Sequence, residues 1–171
     1  MTIFLIGFMG CGKTTVGKLL AAKLGIRYVD SDECIVQSEG MTVPEIFEQK
    51  GEPYFREVEE QTVKGLCEKP EVIACGGGAM LRDSTAQYAS ANGTVIFLDV
   101  PFNICYERIC GDPNRPIVTA SSRDELLARY NARYPVYCRN SDVQIDCGAG
   151  SPLDCTEKIL ESIKYKEQAK V

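Results

Sequence analysis

Unbroken apolar runs alternate along the chain with stretches whose apolar residues recur at helical spacing. Ile3-Phe4-Leu5-Ile6 has no polar interruption, the pattern of a short strand buried on both faces. From Thr15 to Leu24, Val16, Leu19, Leu20 and Leu24 keep helical spacing, and Gly25 ends the run. Arg27-Tyr28-Val29 predicts a second strand that runs into Asp30-Ser31-Asp32, and Glu33 to Ser38 predicts a short helix closed by Gly40. Thr42, Pro44 and Glu45 supply the cap, first-turn proline and third-position glutamate of a capping box. The helix they open ends near Gly51. Pro53 starts another that reaches about Cys67, with Phe55, Val58, Thr62 and Leu66 on one face. Three helices between two strands exceed what one crossover needs, so a small helical subdomain is expected over about residues 31–60.

The second half continues the alternation. Glu71 to Ala74 predicts a third strand, followed by Gly76-Gly77-Gly78. Three glycines after a strand are either a flexible turn or a place where something approaches the backbone closely. Asp83 to Ala91 predicts a helix, Asn92-Gly93 a turn, and Thr94 to Leu98 a fourth strand ending at Asp99. Pro101 to Cys110 predicts a helix. Residues 111–121 then collect turn formers around Arg115 and predict a lid that closes as a unit. Ser121 or Ser122 caps a helix to about Arg139, with an interruption expected at Pro135. Val143 to Asp146 is the fifth strand, 147–152 a loop, and Leu153 to about Lys166 a closing helix. Strands alternating with helices predict one α/β domain with a parallel sheet covered on both faces. Ligands of such sheets sit beyond the carboxyl ends of the strands, where five segments of unusual chemistry fall together.

Composition narrows the function. The chain has 171 residues, 24 acidic and 19 basic, for a net charge of −5. No basic stripe appears, which argues against a nucleic-acid surface, and no run reaches the 18 apolar residues of a membrane span. No charged region precedes the first apolar stretch, so no secretory signal is expected. Nine cysteines occur with no C-x-x-C spacing and no histidine, a poor set for zinc. They read as reduced thiols of a cytoplasmic protein, mostly small core fillers. The missing imidazole excludes His-based acid–base chemistry. No oligomer seam is visible, and a monomer is expected.

Gly7-Phe8-Met9-Gly10-Cys11-Gly12-Lys13-Thr14-Thr15 matches G-x-x-x-x-G-K-[ST], between the first strand and the first helix. The glycines let successive N–H groups face one anion, and the helix N-terminus adds partial positive charge. Gly10, Cys11, Gly12, Lys13, Thr14 and Thr15 are therefore the expected ATP contacts, with Lys13 on the β- and γ-phosphates and the Thr14 hydroxyl on Mg²⁺. Asp30 and Asp32 can face the same mouth: one holding Mg²⁺ through water, the other accepting a hydroxyl proton. A helix-capping role competes. Asp99 competes for the metal, against a capping role of its own. Among the cations, Arg115 is presented by the lid toward the phosphates and Arg108 can stack on a base. Arg56 reads as a solvated helix residue among Glu52, Glu57, Glu59 and Glu60, or as a ligand; Arg133 divides evenly between surface and site.

The ordered set of the phosphate loop, Asp30-Ser31-Asp32, Gly51-Glu52-Pro53-Tyr54-Phe55-Arg56, Gly76-Gly77-Gly78-Ala79, Asn114-Arg115-Pro116 and Arg133-Tyr134-Pro135-Val136-Tyr137 resembles the shikimate kinase family over nearly the whole chain. The resemblance implies a P-loop NTPase of the nucleoside-monophosphate-kinase-like type, with a five-stranded parallel sheet in the order 2-3-1-4-5. It implies ATP-dependent, Mg²⁺-assisted phosphorylation of the 3-hydroxyl of shikimate on the way to chorismate. By that resemblance Asp32 contacts the ring hydroxyls as the base, and Arg56 and Arg133 clamp the carboxylate. Gly77 and Gly78 amides lie beside the ring, Asp30 stands near the metal, and Arg108, Arg115 and the 147–152 loop contact ATP. Asp32 needs no raised pKa, because a loose transition state depends more on alignment than on a strong base. Three departures stand out: Cys11, whose thiol beside the phosphates is expected to be oxidisable; Ile117-Val118 in the lid; and an adenine loop without arginine. The rivals are a gluconate or nucleoside-monophosphate kinase and a nucleotide-binding module without turnover. A GTP switch would need an Asn-Lys-x-Asp segment, and the sequence has none.

Overall fold

The computed structural model describes residues 1–110 and 121–168. Five strands, β1 (Thr2–Ile6), β2 (Arg27–Asp30), β3 (Glu71–Ala74), β4 (Gly93–Asp99) and β5 (Val143–Asp146), form one parallel sheet in the order β2-β3-β1-β4-β5. This is the order the resemblance implies. Leu5 of β1 lies level with Ala74 on one side and Ile96 on the other, so the central strand is covered in every direction. Ile3, Phe4 and Leu5 are fully buried, each contributing roughly 1.5–3 kcal/mol of apolar transfer.

The helices are α1 (Lys13–Leu24), α2 (Ser31–Glu39), α3 (Val43–Gly65), α4 (Asp83–Asn92), α5 (Phe102–Ile109), α6 (Arg123–Arg139) and α7 (Pro152–Gln168). The capping box at Thr42 forms as its residues predict: the Glu45 carboxylate accepts from the Thr42 N–H at 2.7 Å. Ser122, rather than Ser121, builds the matching box on α6 with Glu125. At Gly51 the backbone takes φ 82° and ψ 165°, so α3 is two helical pieces meeting at a kink only glycine adopts easily. Ile35, Ile46 and Phe55 pack into a small cluster separate from the main core, over the stretch expected to form a helical subdomain.

Three expectations change. Pro135 does not interrupt α6. The carbonyl its missing N–H would have met belongs to exposed Asn131, where water can replace the lost bond. No separate turn lies at Asn92-Gly93, because α4 passes directly into β4. The buried face of the second half of α3 is Phe55, Glu59 and Val63, not Phe55, Val58, Thr62 and Leu66. The lid, with Arg115, lies outside the described residues.

Candidate active site

A cavity of about 710 Å³ opens above the carboxyl ends of β1, β2 and β3. Its phosphate end is mostly backbone. Gly10 and Gly12 have φ 81° and 100°, a region closed to most side chains. A Cβ on Gly10 would lie 2.6 Å from the Cys105 carbonyl oxygen. No side chain caps α1 at Gly12, so its first N–H groups are free to bind an anion. Lys13 Nζ donates to the Gly7 and Phe8 carbonyls at 2.9 and 3.1 Å, which holds the ammonium over the loop. Burial works against its charge, but Cys11, Tyr137 and Asp32 around it keep its pKa above the ordinary value. Thr14, Thr15 and Asp30 line the same wall.

A second cavity of about 180 Å³ adjoins this end, between Gly12, Thr15 and Arg108 on one side and Gly150, Ser151 and Pro152 on the other. Arg108 Nη1 donates to the Gly10 carbonyl at 3.2 Å, so it spans the two spaces. The 147–152 loop here is stapled by a disulfide between Cys147 and Cys155. That corrects the expectation of fully reduced cysteines. The two cysteines have a sequence separation of only 8, and the short β5–α7 connection folds the first turn of α7 over the strand end. Seven other cysteines are free, and Cys11, only 2% exposed, packs in the core while bordering the smaller cavity.

The acceptor end is built from side chains. Asp30 caps α2 through its Oδ1, which accepts from the N–H groups of Asp32 and Glu33. This fixes Asp32 on the first turn, facing inward. Asp32 Oδ1 is buried and has no hydrogen-bond partner among the described residues. Burial raises its pKa, and the Asp30 charge adds to the effect, against the pull of Lys13 and Arg56. Alignment alone does not require this shift; it follows because holding Asp32 inside the cavity also strips its water. Gly76 leaves the space this carboxylate fills: a Cβ there would overlap it.

Arg56 is held from two sides, by Glu59 at 2.7 Å and Glu52 at 3.1 Å. Glu59 was hidden in the sequence among four glutamates, yet it is 3% exposed and lines the cavity. Its pKa is raised by burial, with Arg56 opposing. Arg133 Nη1 donates to the Gly77 carbonyl at 3.2 Å, and the Tyr137 hydroxyl donates to the same oxygen at 2.6 Å. Phe47 and Phe55, with ring centroids 4.7 Å apart, give the cavity an apolar wall.

The structure thus brings Lys13, Thr14, Asp30, Asp32, Arg56, Gly77, Arg108 and Arg133 to one space. Gly78 is not in the lining, where Gly76 appears beside Gly77. A Cβ on Gly78 would overlap the Arg56 guanidinium, so its service is room for that group. Asp99 neither lines the cavity nor caps α5. Its Oδ2 accepts from the Tyr134 hydroxyl at 3.0 Å and the Gln144 amide at 2.8 Å, as a brace between α6 and β5. Among the described residues no cluster of three or more His, Cys, Asp or Glu could hold a metal alone. Mg²⁺ keeps most of its waters and takes few protein ligands. The Thr14 hydroxyl and Asp30, whose Oδ1 already caps α2, suit it through water and phosphate.

The sequence model of the shikimate kinase family matches residues 9–164. The shikimate kinase of Persephonella marina is 40% identical over 163 residues, 95% of this chain and 98% of that protein. Shikimate kinase from Acinetobacter baumannii, solved in complex with shikimate, superposes with a TM-score of 0.88 at 34% identity, covering 96% of this chain and 93% of the other. The Aquifex aeolicus shikimate kinase structure gives 0.85 at 36% identity, covering 98% of each chain. A family match across most of the chain, on the fold and cavity described, has one meaning: this protein belongs to the shikimate kinase family and is an enzyme of that kind.

Proposed function

We propose that the cavity transfers the γ-phosphoryl group of Mg²⁺–ATP to the 3-hydroxyl of shikimate, giving shikimate 3-phosphate and ADP on the route to chorismate and the aromatic amino acids. The observation that carries this reading is Asp32. The residue lines a space bounded by a phosphate-loop lysine on one side and two arginines on the other, and its Oδ1 is buried against Gly76 without a hydrogen-bond partner among the described residues. A carboxylate so placed needs a donor, and a ring hydroxyl is one. The acceptor's own carboxylate pairs with Arg56 and Arg133, whose planar forks suit it. Both arginines are already held in place, by Glu59 and Glu52 and by the Gly77 carbonyl, so little ordering remains when the acid binds.

In this reading Asp32 takes the hydroxyl proton as the oxygen–phosphorus bond forms and the bond to ADP breaks. Lys13 and the loop N–H groups neutralise the phosphates, with Arg115 added from the lid. Thr14 and, by way of water, Asp30 would hold Mg²⁺, which would supply charge stabilisation for the phosphates. Arg108 and the 147–152 loop, which border the smaller cavity, are the groups we assign to the base. We take the enzyme to act as a monomer in the cytoplasm. Following ADP release with shikimate, gluconate, nucleoside monophosphates or no acceptor tests the proposal. Release only with shikimate is expected. Turnover with gluconate or a nucleotide instead, or none with any acceptor, overturns it.

A further inference from the structure

Helix α6 runs along one side of the cavity and touches both of its ends. Near its start, Arg123 donates to Asn103 at 2.9 Å and lies over the rings of Phe102 and Tyr106, all on α5, the helix that carries Arg108. Near its end, Arg133 and Tyr137 hold the Gly77 carbonyl, and Asn140 donates to the Met80 carbonyl at 2.8 Å. The helix therefore measures the distance from the nucleotide side to the acceptor side. Arg129 lies between these anchors, one turn or about 6 Å before Arg133, and lines the cavity, half-buried.

Four other cations line this space, and each is tied down: Lys13 to the Gly7 and Phe8 carbonyls, Arg56 to Glu52 and Glu59, Arg108 to Gly10 and Arg133 to Gly77. Arg129 is in no ion pair or side-chain hydrogen bond among the described residues. The acid one turn before it, Glu125, is turned to the helix start, where it accepts from the Ser122 N–H at 2.7 Å and hydroxyl at 3.0 Å. The lining also holds Asp30, Asp32, Glu33 and Glu59, but none of them pairs with Arg129 among the described residues, so its guanidinium is left to an entering anion. Arg133 and Arg56 already suffice for one carboxylate, and Lys13 with the loop for the resting triphosphate.

We propose that Arg129 is a further catalytic residue of this chain: it grips the phosphoryl group as it leaves ATP and holds it once it is an ester on the acceptor. The inference rests on the kinase reading above. The bond between phosphorus and the ADP oxygen breaks, the bond to the acceptor oxygen forms, and the hydroxyl proton passes to Asp32. Arg129 makes no covalent bond and only balances charge on the equatorial oxygens. It therefore favours the phosphorylated product over the unphosphorylated acceptor.

The test uses the full chain, with shikimate phosphorylation by the unchanged protein measured first; its absence would sink the kinase reading and leave Arg129 aside. Arg129→Met keeps the stem and removes the charge, and Arg129→Lys keeps a charge without the fork. Calorimetric titration then compares shikimate with shikimate 3-phosphate. For Arg129→Met we expect kcat to fall about 10- to 100-fold and product binding to weaken about 10-fold. Shikimate and ATP binding should stay within about 3-fold, and Arg129→Lys should recover part of each loss. Equal weakening of shikimate and its phosphate, a loss confined to ATP, or no change in either variant overturns the proposal.

Discussion

The two ends of the cavity are made of different material. At the end we assign to the phosphates, the groups on offer are mostly N–H donors of Gly10 to Thr15, set by one contiguous stretch and by the start of α1. At the acceptor end they are side chains from α2, α3 and α6 with the Gly76–Gly77 loop, fixed through Glu59, Glu52 and the Gly77 carbonyl. A backbone cradle tolerates changes of side chain, because the donors remain whatever the residue. A side-chain cradle does not, because each member depends on particular partners: Arg56 on Glu52 and Glu59 of its own helix, Arg133 on the Gly77 carbonyl far along the chain.

Changes at the acceptor end should break this contrast most deeply. Asp32→Asn should lower kcat by at least about 100-fold while ATP still binds, as read by steady-state turnover and nucleotide titration. The raised pKa of Asp32 also sets a sign for stability. Between the ordinary carboxyl pKa and the raised folded one, the native state holds more protons, so stability falls as pH rises through that window. At neutral pH the charged carboxylate is a burden, so the Asn variant should melt higher than the parent, by calorimetry at pH 7. The acid limb of kcat/KM should lie above the usual carboxylate range for the same reason. Next in size, Arg133→Met should weaken shikimate by about 2–4 kcal/mol, roughly 30- to 1000-fold, through loss of a charged hydrogen-bonded pair. ATP affinity should not move, and parallel titrations with the two ligands check both.

Smaller effects belong to the nucleotide end. Reducing Cys147–Cys155 with dithiothreitol, or replacing both by serine, should raise the KM for ATP by a few-fold without affecting shikimate binding, since the staple borders only the smaller cavity. Opening a bridge across a sequence separation of 8 should also destabilise the fold by roughly 2–3 kcal/mol, measured by urea titration. Smallest of all, Cys11→Ala should change turnover by less than about 2-fold, because position 11 serves the phosphates through its backbone. A large loss there would mean the contrast between backbone and side-chain cradles is wrong.

Most of the framework was legible along the chain, for reasons that hold at particular places. The buried strands read as unbroken apolar runs, and the Thr42–Glu45 box and the Gly51 break announce themselves by residue type. The phosphate loop needs only local order, so its motif suffices. The acceptor end was legible through the family resemblance more than through pattern, because Arg56 and Arg133 look like ordinary surface cations until the chain folds. Glu59 was readable and overlooked: Phe55, Glu59 and Val63 share helical spacing, which puts that one glutamate on the apolar face. Arg129 had the same signal, four residues before Arg133. The disulfide and the unbroken passage of α6 through Pro135 depend on contacts and solvent access that no local pattern records.

Gly76 and Gly78 carry a consequence for how this enzyme can change over generations. Each lacks a methyl group where a charged neighbour of opposite sign, Asp32 or Arg56, must lie. Adding a single carbon would leave the sheet and its helices intact yet push the carboxylate or the guanidinium out of line. Selection here preserves emptiness, and a lineage could lose the activity at these two codons while its cells still filled with well-folded, silent protein.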